Sequence, residues 1–463
     1  MEQKNLEKQK INPSLKAYSI GDYLNFIIPS IIGIFLFMIP ITVEDGMTIP
    51  VAWLAGWLRD SVIFNSIPYV TIPNIATLFM GIAGIGSLLA KVKKPTKPLY
   101  KILFDVHWFW VVVRLLGFVF ALMTVNEWGP EAIYSGDTGA LVLDLIVTLF
   151  TIFLFAGLFL PLLLDFGLLE FVGTLLIKVM RPVFKLPGRS SIDALASWVG
   201  DGTIGIVLTD KQYQDGFYTK REAAVIGTTF SVVSITFSIT VLETVGLSHL
   251  FGPYYLTIVA AGFVAALIMP RIPPLSRKAD TVFEGAEQRP DETIPDGTNM
   301  FKWGIAQAAH KASKTKNYKS VIQGGIKNVL DMWIGVIPVV MAFGTLALVI
   351  ATYTDFFVLI GKPIEPILEL MQVPEAAEAA QTVLIGFADM FLPAILAADM
   401  IESSMTLFII ASLSVTQLIY MSEVGGLLIG SKVPVNFLDL VIIFLLRTAI
   451  TLPIIVLAAH IIF

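Results

Sequence analysis

Two glutamates stand where an apolar run should not hold them. In SITFSITVLETVGL, Ser234 to Leu247, Glu243 lies inside an otherwise hydrophobic stretch; in SVTQLIYMSEVGGL, Ser414 to Leu427, Glu423 holds the matching place 180 positions on. Ser234 and Thr236 precede Glu243 at the spacing by which Ser414 and Thr416 precede Glu423. A carboxylate in such a run is costly, and ionisable groups inside a membrane mark substrate or ion paths. The chemistry these residues offer is oxygen ligation of a cation, proton uptake, or recognition of a cationic group on a solute. The hydroxyls lie about two helical turns from each Glu, on the same stripe but out of its reach in a straight helix.

A second set sits upstream of each glutamate. IDALASWVGDGTIGIVLTD, 192–210, holds Trp198, Gly200, Asp201, Gly202 and Thr203; AAQTVLIGFADMFLPAILAAD, 379–399, holds Gly386 and Asp389. Each stretch has the length of one span but is broken in its middle. That pattern fits a re-entrant hairpin of two half-helices, with Gly200, Gly202 and Gly386 at the tips. Asp201 and Asp389 either face a ligand or cap half-helix N-termini. Trp198 either stacks on a planar ligand or anchors at an interface. Arg447, near the middle of the last apolar run, would neutralise a buried Glu or clamp a carboxylate. Arg114 reads as the cation of a structural ion pair.

The elements that position these residues are membrane helices. Of 463 residues, 56% are hydrophobic and 14% charged, against about a quarter charged in soluble chains. The runs 24–43, 66–90, 102–124, 139–164, 223–246, 254–270, 330–352, 405–421 and 436–458 predict nine helices near the spanning length. The fold class is therefore an all-α polytopic membrane protein. The basic loop KVKKPTKPLYK, 91–101, belongs inside; NEWGPEAIYSGDTG, from Asn126, has no Lys or Arg and belongs outside. Residues 165–221 carry seven Lys or Arg, whereas 353–404 carry one. The two broken stretches are thus expected to enter from opposite faces, as inverted-topology repeats, each with a re-entrant hairpin and a broken helix, around a midplane site; unwinding near Gly246 or Gly425-Gly426 would free carbonyls to help hold a cation. The parts are a cytosolic tail 1–23, N-terminal helices 24–138, a first repeat 139–270, a cytosolic linker 271–326 with a basic amphipathic helix, and a second repeat 327–463. This predicts a multi-pass protein of the cell membrane with its N-terminus in the cytoplasm.

At these motifs the chain resembles the Gate, or nucleoside-recognition, membrane family, and in particular its YjiH-like members. The resemblance rests on PVFKLPGRSSIDALASWVGDGTIGIVLTD, SITFSITVLETVG, IGFADMFLPAILAAD and SVTQLIYMSEVGG. It implies two opposed hairpins and an architecture similar to concentrative nucleoside transporters. Those transporters carry Gln-Thr-Glu in the first hairpin, where this chain has Trp-Val-Gly-Asp-Gly-Thr. Nucleoside specificity therefore does not follow from the resemblance.

The sequence has no cysteine, no Walker loop, no HExxH and no GxSxG elbow. The expectation is a non-enzyme without metal or cofactor, moving a nucleoside, nucleobase, amino acid or small peptide by alternating access, coupled to Na+ or H+ or as a facilitator. Its partners are the lipid bilayer and a small-molecule or ion substrate, not nucleic acid, and homo-oligomerisation is left open. The competing readings are a metal-ion pathway and a non-transporting assembly subunit.

Overall fold

The computed structural model describes residues 18–39, 41–43, 46–60, 71–200, 202–230, 233, 235–287, 294, 298–315 and 317–463. Helix α1, Ile20–Met38, opens on a capping box in which Ser19 and Asp22 satisfy each other's backbone N–H. A small antiparallel ribbon follows, β1 Ile41–Val43 against β2 Gly46–Thr48, then α2, Pro50–Arg59. The hydropathy runs gave neither. α2 is too short and too mixed to span, and Pro50 supplies its start. Next come α3 Ile72–Val92, α4 Pro98–Phe104, α5 Trp108–Val125, α6 Glu131–Tyr134 and α7 Gly139–Leu164. The expected run 102–124 is split at 105–107, where His107 caps α5 through its ring nitrogen.

The segments expected to form the first repeat begin with α7. They continue through α8 Leu168–Val179, a π-turn Met180–Phe184, α9 Ser190–Leu195, a π-turn Ala196–Gly200 and α10 Gly202–Gln214. α11 Lys220–Val225, a π-turn Ile226–Phe230, α12 Ile235–Thr244 and α13 Phe251–Ile268 complete them. After α14, Met300–Lys314, the same order of long and short pieces recurs. α15 Tyr318–Gly335 runs almost directly into α16 Ile337–Tyr353. The short α17 Phe356–Gly361, α18 Glu365–Leu370, α19 Ala376–Val383 and α20 Leu392–Met400 follow. α21 Ser404–Gln417, α22 Val424–Gly430 and α23 Phe437–Ile462 end the chain.

Among the described residues, seven helical stretches are long and apolar enough to cross a membrane, rather than the expected nine. Two expected spans, 223–246 and 405–421, are not continuous helices. The first passes through the π-turn before α12. The second stops at Gln417, because Leu418 turns into the left-handed region at φ 62°. The cause is visible in composition: both runs carry polar groups that use the backbone to satisfy themselves.

Apolar side chains face outward along the long helices, such as Ile31, Leu78, Leu256 and Leu457, as a lipid solvent requires. Inside, the long helices approach closely where one carries glycine. Gly157 meets Val329 and Gly325 meets the Leu158 backbone, so α7 and α15 pack at short range, and Trp333 of α15 stacks on Phe150 of α7 at 4.0 Å. α14 has the expected amphipathic pattern; Trp303, Ala308 and Ala312 are buried, with α8 and α1 packed against it. The chain just before it is tied down by Lys278 on Asp439 at 2.6 Å and Arg221 on Asp280 at 2.8 Å.

Candidate functional site

The site is built where the two interrupted helices meet. α21 ends at Gln417, residues 418–423 run without helical bonding, and α22 restarts at Val424. A bare backbone at this depth needs partners. Two come from the segment between α19 and α20: Met421 N donates to Phe387 O at 2.8 Å and Ser422 N to Ala388 O at 2.9 Å. Asp389 adds side-chain bonds. Its Oδ2 accepts from Ser422 Oγ at 2.7 Å, while Oδ1 accepts from the backbone N–H of Phe391 at 2.7 Å and Leu392 at 3.2 Å. The capping reading of Asp389 is therefore the one that its geometry satisfies.

Gly386 does not make a reversal through an unusual φ. It is glycine because a Cβ there would stand 2.3 Å from Gln417 Oε1. Gln417 is fully buried; its Nε2 donates to Val383 O at 3.0 Å and to Thr448 Oγ1 at 2.9 Å. It links α21, α19 and α23 and was missed as a site residue, although it stands inside SVTQ as the one amide of that run.

Arg447 of α23 is 1% exposed. Its Nε and Nη2 both donate to Thr416 O, at 3.1 and 2.8 Å, and Nη1 reaches Thr228 O at 3.5 Å. Thr228 belongs to the π-turn of the first interrupted helix. Its neighbour Gly227 lies against Leu428 of α22, 3.0 Å from where a Cβ would stand, so the two interruptions touch. Among the described residues no carboxylate lies within ion-pair distance of Arg447. The expected neutralisation of a buried Glu is therefore not found there.

The remaining expectations divide. Glu243 lies in the last turn of α12 and is exposed, not buried in the centre. Glu423 is half-buried at the N-cap position of α22. The 180-residue match of sequence thus does not carry over to a match of environment, because the second helix breaks just before its Glu and the first does not. Ser414 and Thr416 are buried, but both hydroxyls donate to carbonyls of their own helix. Thr203 is fully buried in the first turn of α10. Trp198 and Gly200 lie in the π-turn before α10, Trp198 half-buried, and Gly202 opens α10. Asp201, Ser234 and the Thr236 side chain fall outside the described residues. Arg114 has a structural setting: Nη1 donates to Ser87 Oγ and Leu103 O, both at 2.8 Å, and Asp331 lies across Gly335 from it.

Sequence reasoning also missed a buried polar network that joins α9 to α10. Asp193, 1% exposed, accepts from Thr209 Oγ1 and Tyr218 OH, each at 3.0 Å, and from Gln212 Nε2 at 3.5 Å. Arg189 donates to Gln212 Oε1 and Glu170 Oε1, each at 3.1 Å, and lies 3.8 Å over the Phe217 ring. Asp193→Asn replaces an acceptor by a donor opposite committed donors. The expected outcome is a loss of about 1 to 3 kcal/mol, read as a lower thermal midpoint of the purified protein.

Two openings are found among the described residues. A cavity of about 20 Å³, room for about one water, is lined by Asp210, Gln214, Asn328, Asp331 and Ser431. A cleft of about 510 Å³ opens beside α16, α19 and α20, with Tyr353, Asp355, Gln381 and Thr382 among its walls.

Comparison with known proteins adds the following. Residues 146–248, from α7 to the turn after α12, match the family described as Gate: nucleoside recognition. A solved structure of a doubly substituted CNTnw in an outward-facing state is similar at a TM-score of 0.42 and 14% identity, covering 89% of this chain and 99% of that one. An uncharacterized protein of Alkalihalophilus pseudofirmus (strain OF4) is 52% identical over 445 residues, 95% of each chain. The chain therefore belongs to the family of that Alkalihalophilus protein, and within it carries a Gate nucleoside-recognition segment.

Proposed function

We propose that this protein is a secondary transporter of a small polar solute: a nucleoside, nucleobase, amino acid or small peptide. The observation that carries the reading is the meeting of two interrupted helices around Arg447, deep among apolar spans. Interrupted helices abandon backbone bonds that lipid cannot replace, so they persist where a polar site needs the freed groups. The repeated order of elements from α7 to α13 and from α15 to α23, with the Lys/Arg contrast between the halves, supports inverted repeats. In that arrangement α9–α10 and α19–α20 are the two hairpins, and alternating access moves them past a fixed centre. The driving gradient, if one is used, is Na+ or H+, with the N-terminus on the cytoplasmic face.

The test is uptake into proteoliposomes of a panel of nucleosides, nucleobases, amino acids and dipeptides. The two glutamates separate in this assay. Glu423→Gln, at the restart of α22, is expected to lower flux at least about tenfold, the cost of one lost charge-assisted contact. Glu243→Gln, at the exposed end of α12, is expected to leave flux within about twofold, as surface changes do. No flux of any solute by the native chain would remove the transporter reading. Equal effects of both variants would remove the assignment of the centre.

A further inference from the structure

We infer that the guanidinium of Arg447 is a resident cation, holding the place between the two interrupted helices that an exchangeable coupling ion would otherwise occupy. Thr416 stands in the last turn of α21, and Thr228 in the π-turn Ile226–Phe230 that continues α11. The Thr416 carbonyl, at the end of α21, has lost its partner within the helix. A helix C-terminus carries roughly half a negative charge, so the end of α21 calls for a cation, and the Thr228 carbonyl adds a second dipole facing the same point. Arg447 supplies it: Nε and Nη2 on Thr416 O, Nη1 toward Thr228 O. The neighbouring hydroxyls of α23 are neutral and already committed, Thr448 Oγ1 to Phe444 O and Thr451 Oγ1 to Arg447 O. With no carboxylate at ion-pair distance among the described residues, the end of α21 and the Thr228 carbonyl are the counter-charge.

Freed carbonyls at half-helix C-termini are the groups that hold Na+ in transporters built on inverted repeats. Here they are taken by a covalently attached cation that cannot leave. It follows that the native chain needs no exchangeable monovalent cation to hold its two interruptions together. The inference rests on the transporter reading for its meaning, but its test does not use transport.

The thermal midpoint of the purified full chain is measured in detergent, at constant ionic strength, in sodium chloride and in choline chloride. The native protein is expected to unfold at the same temperature in both; stabilisation by Na+ over choline would overturn the inference. Arg447→Lys and Arg447→Met have similar bulk and differ in charge. Lys is expected to keep most of the native midpoint and Met to lose it, and equal midpoints would overturn the inference. Arg447→Ala is expected to regain part of its lost stability in methylguanidinium but not in choline; no recovery, where the variant folds, counts against a resident cation. If Ala does not fold, the Lys and Met pair and the native salt comparison decide. A chain that moves no solute would still give these midpoints, so failure of the transporter reading is seen separately.

Discussion

Gly117→Ala is expected to destabilise the protein by about 2 to 3 kcal/mol, near the top of what overpacking costs. A Cβ at Gly117 would stand 2.0 Å from Pro338 O, 2.8 Å from its carbonyl carbon and 3.1 Å from its Cα. All three atoms are backbone, so no rotamer change relieves the clash. α16 begins at Ile337 with Pro338 in its first turn, and it packs along α5. Relief therefore needs α16 to move away from α5, and α16 also contacts α7 and α22. Against this, Gly to Ala in a helix interior gains at most about 1 kcal/mol of propensity. Gly262, in α13, has no atom within 4 Å of its would-be Cβ and is the control. Gly262→Ala should leave the midpoint unchanged or raise it slightly. Thermal unfolding of both variants in one detergent checks the pair, and a Gly117→Ala protein as stable as its control would show the α5–α16 contact to be wrong.

Asp389→Ala is expected to have the larger effect on flux than on folding. The carboxylate joins three donors: Phe391 N and Leu392 N at the start of α20, and Ser422 Oγ in the irregular segment before α22. Loss of the cap costs about 1 kcal/mol of stability, as helix caps do. Loss of the Ser422 bond frees the chain beside Glu423, where the transporter reading locates its centre. A fall in flux of at least about tenfold is expected with most protein still folded, since a small misplacement near a site is enough for that. Asp389→Asn keeps the oxygen for capping but weakens the Ser422 bond, and should fall between Ala and native. Uptake in proteoliposomes, normalised to folded protein by size exclusion, reads the series. Native flux from the Ala variant would confine Asp389 to capping α20.

What could be read from sequence follows from what hydropathy measures. The long helices α3, α7, α13 and α23 were legible because lipid demands apolar length. The interruptions were legible only in part. Gly200, Gly202 and Gly386 pointed to broken stretches, yet Gly386 serves contact with Gln417, not a turn. Unwinding was expected near Gly425-Gly426, but the break comes earlier, directly after Gln417, where LIYMS is as apolar as the helix before it. Glu243 shows the limit of the repeat argument: an identical residue at a matching position takes a different environment when the break shifts. Arg447 was legible as a buried cation, but its partners are main-chain oxygens, and no side-chain pattern announces those. The Asp193 network hid for a different reason: its members stand in short helices and loops from Glu170 to Tyr218, with no period to join them.

The two main-chain bonds from Met421 and Ser422 to Phe387 and Ala388 have one further consequence. They join the interrupted helix to the α19–α20 pair as adjacent strands are joined, without asking what side chains stand there. The two bonds themselves therefore survive a change of side chain, provided no proline at 421 or 422 removes an N–H. They can thus outlast changes of side chain at Phe387, Ala388 and Met421 that the packing admits, while Ser422 stays tied through its hydroxyl to Asp389.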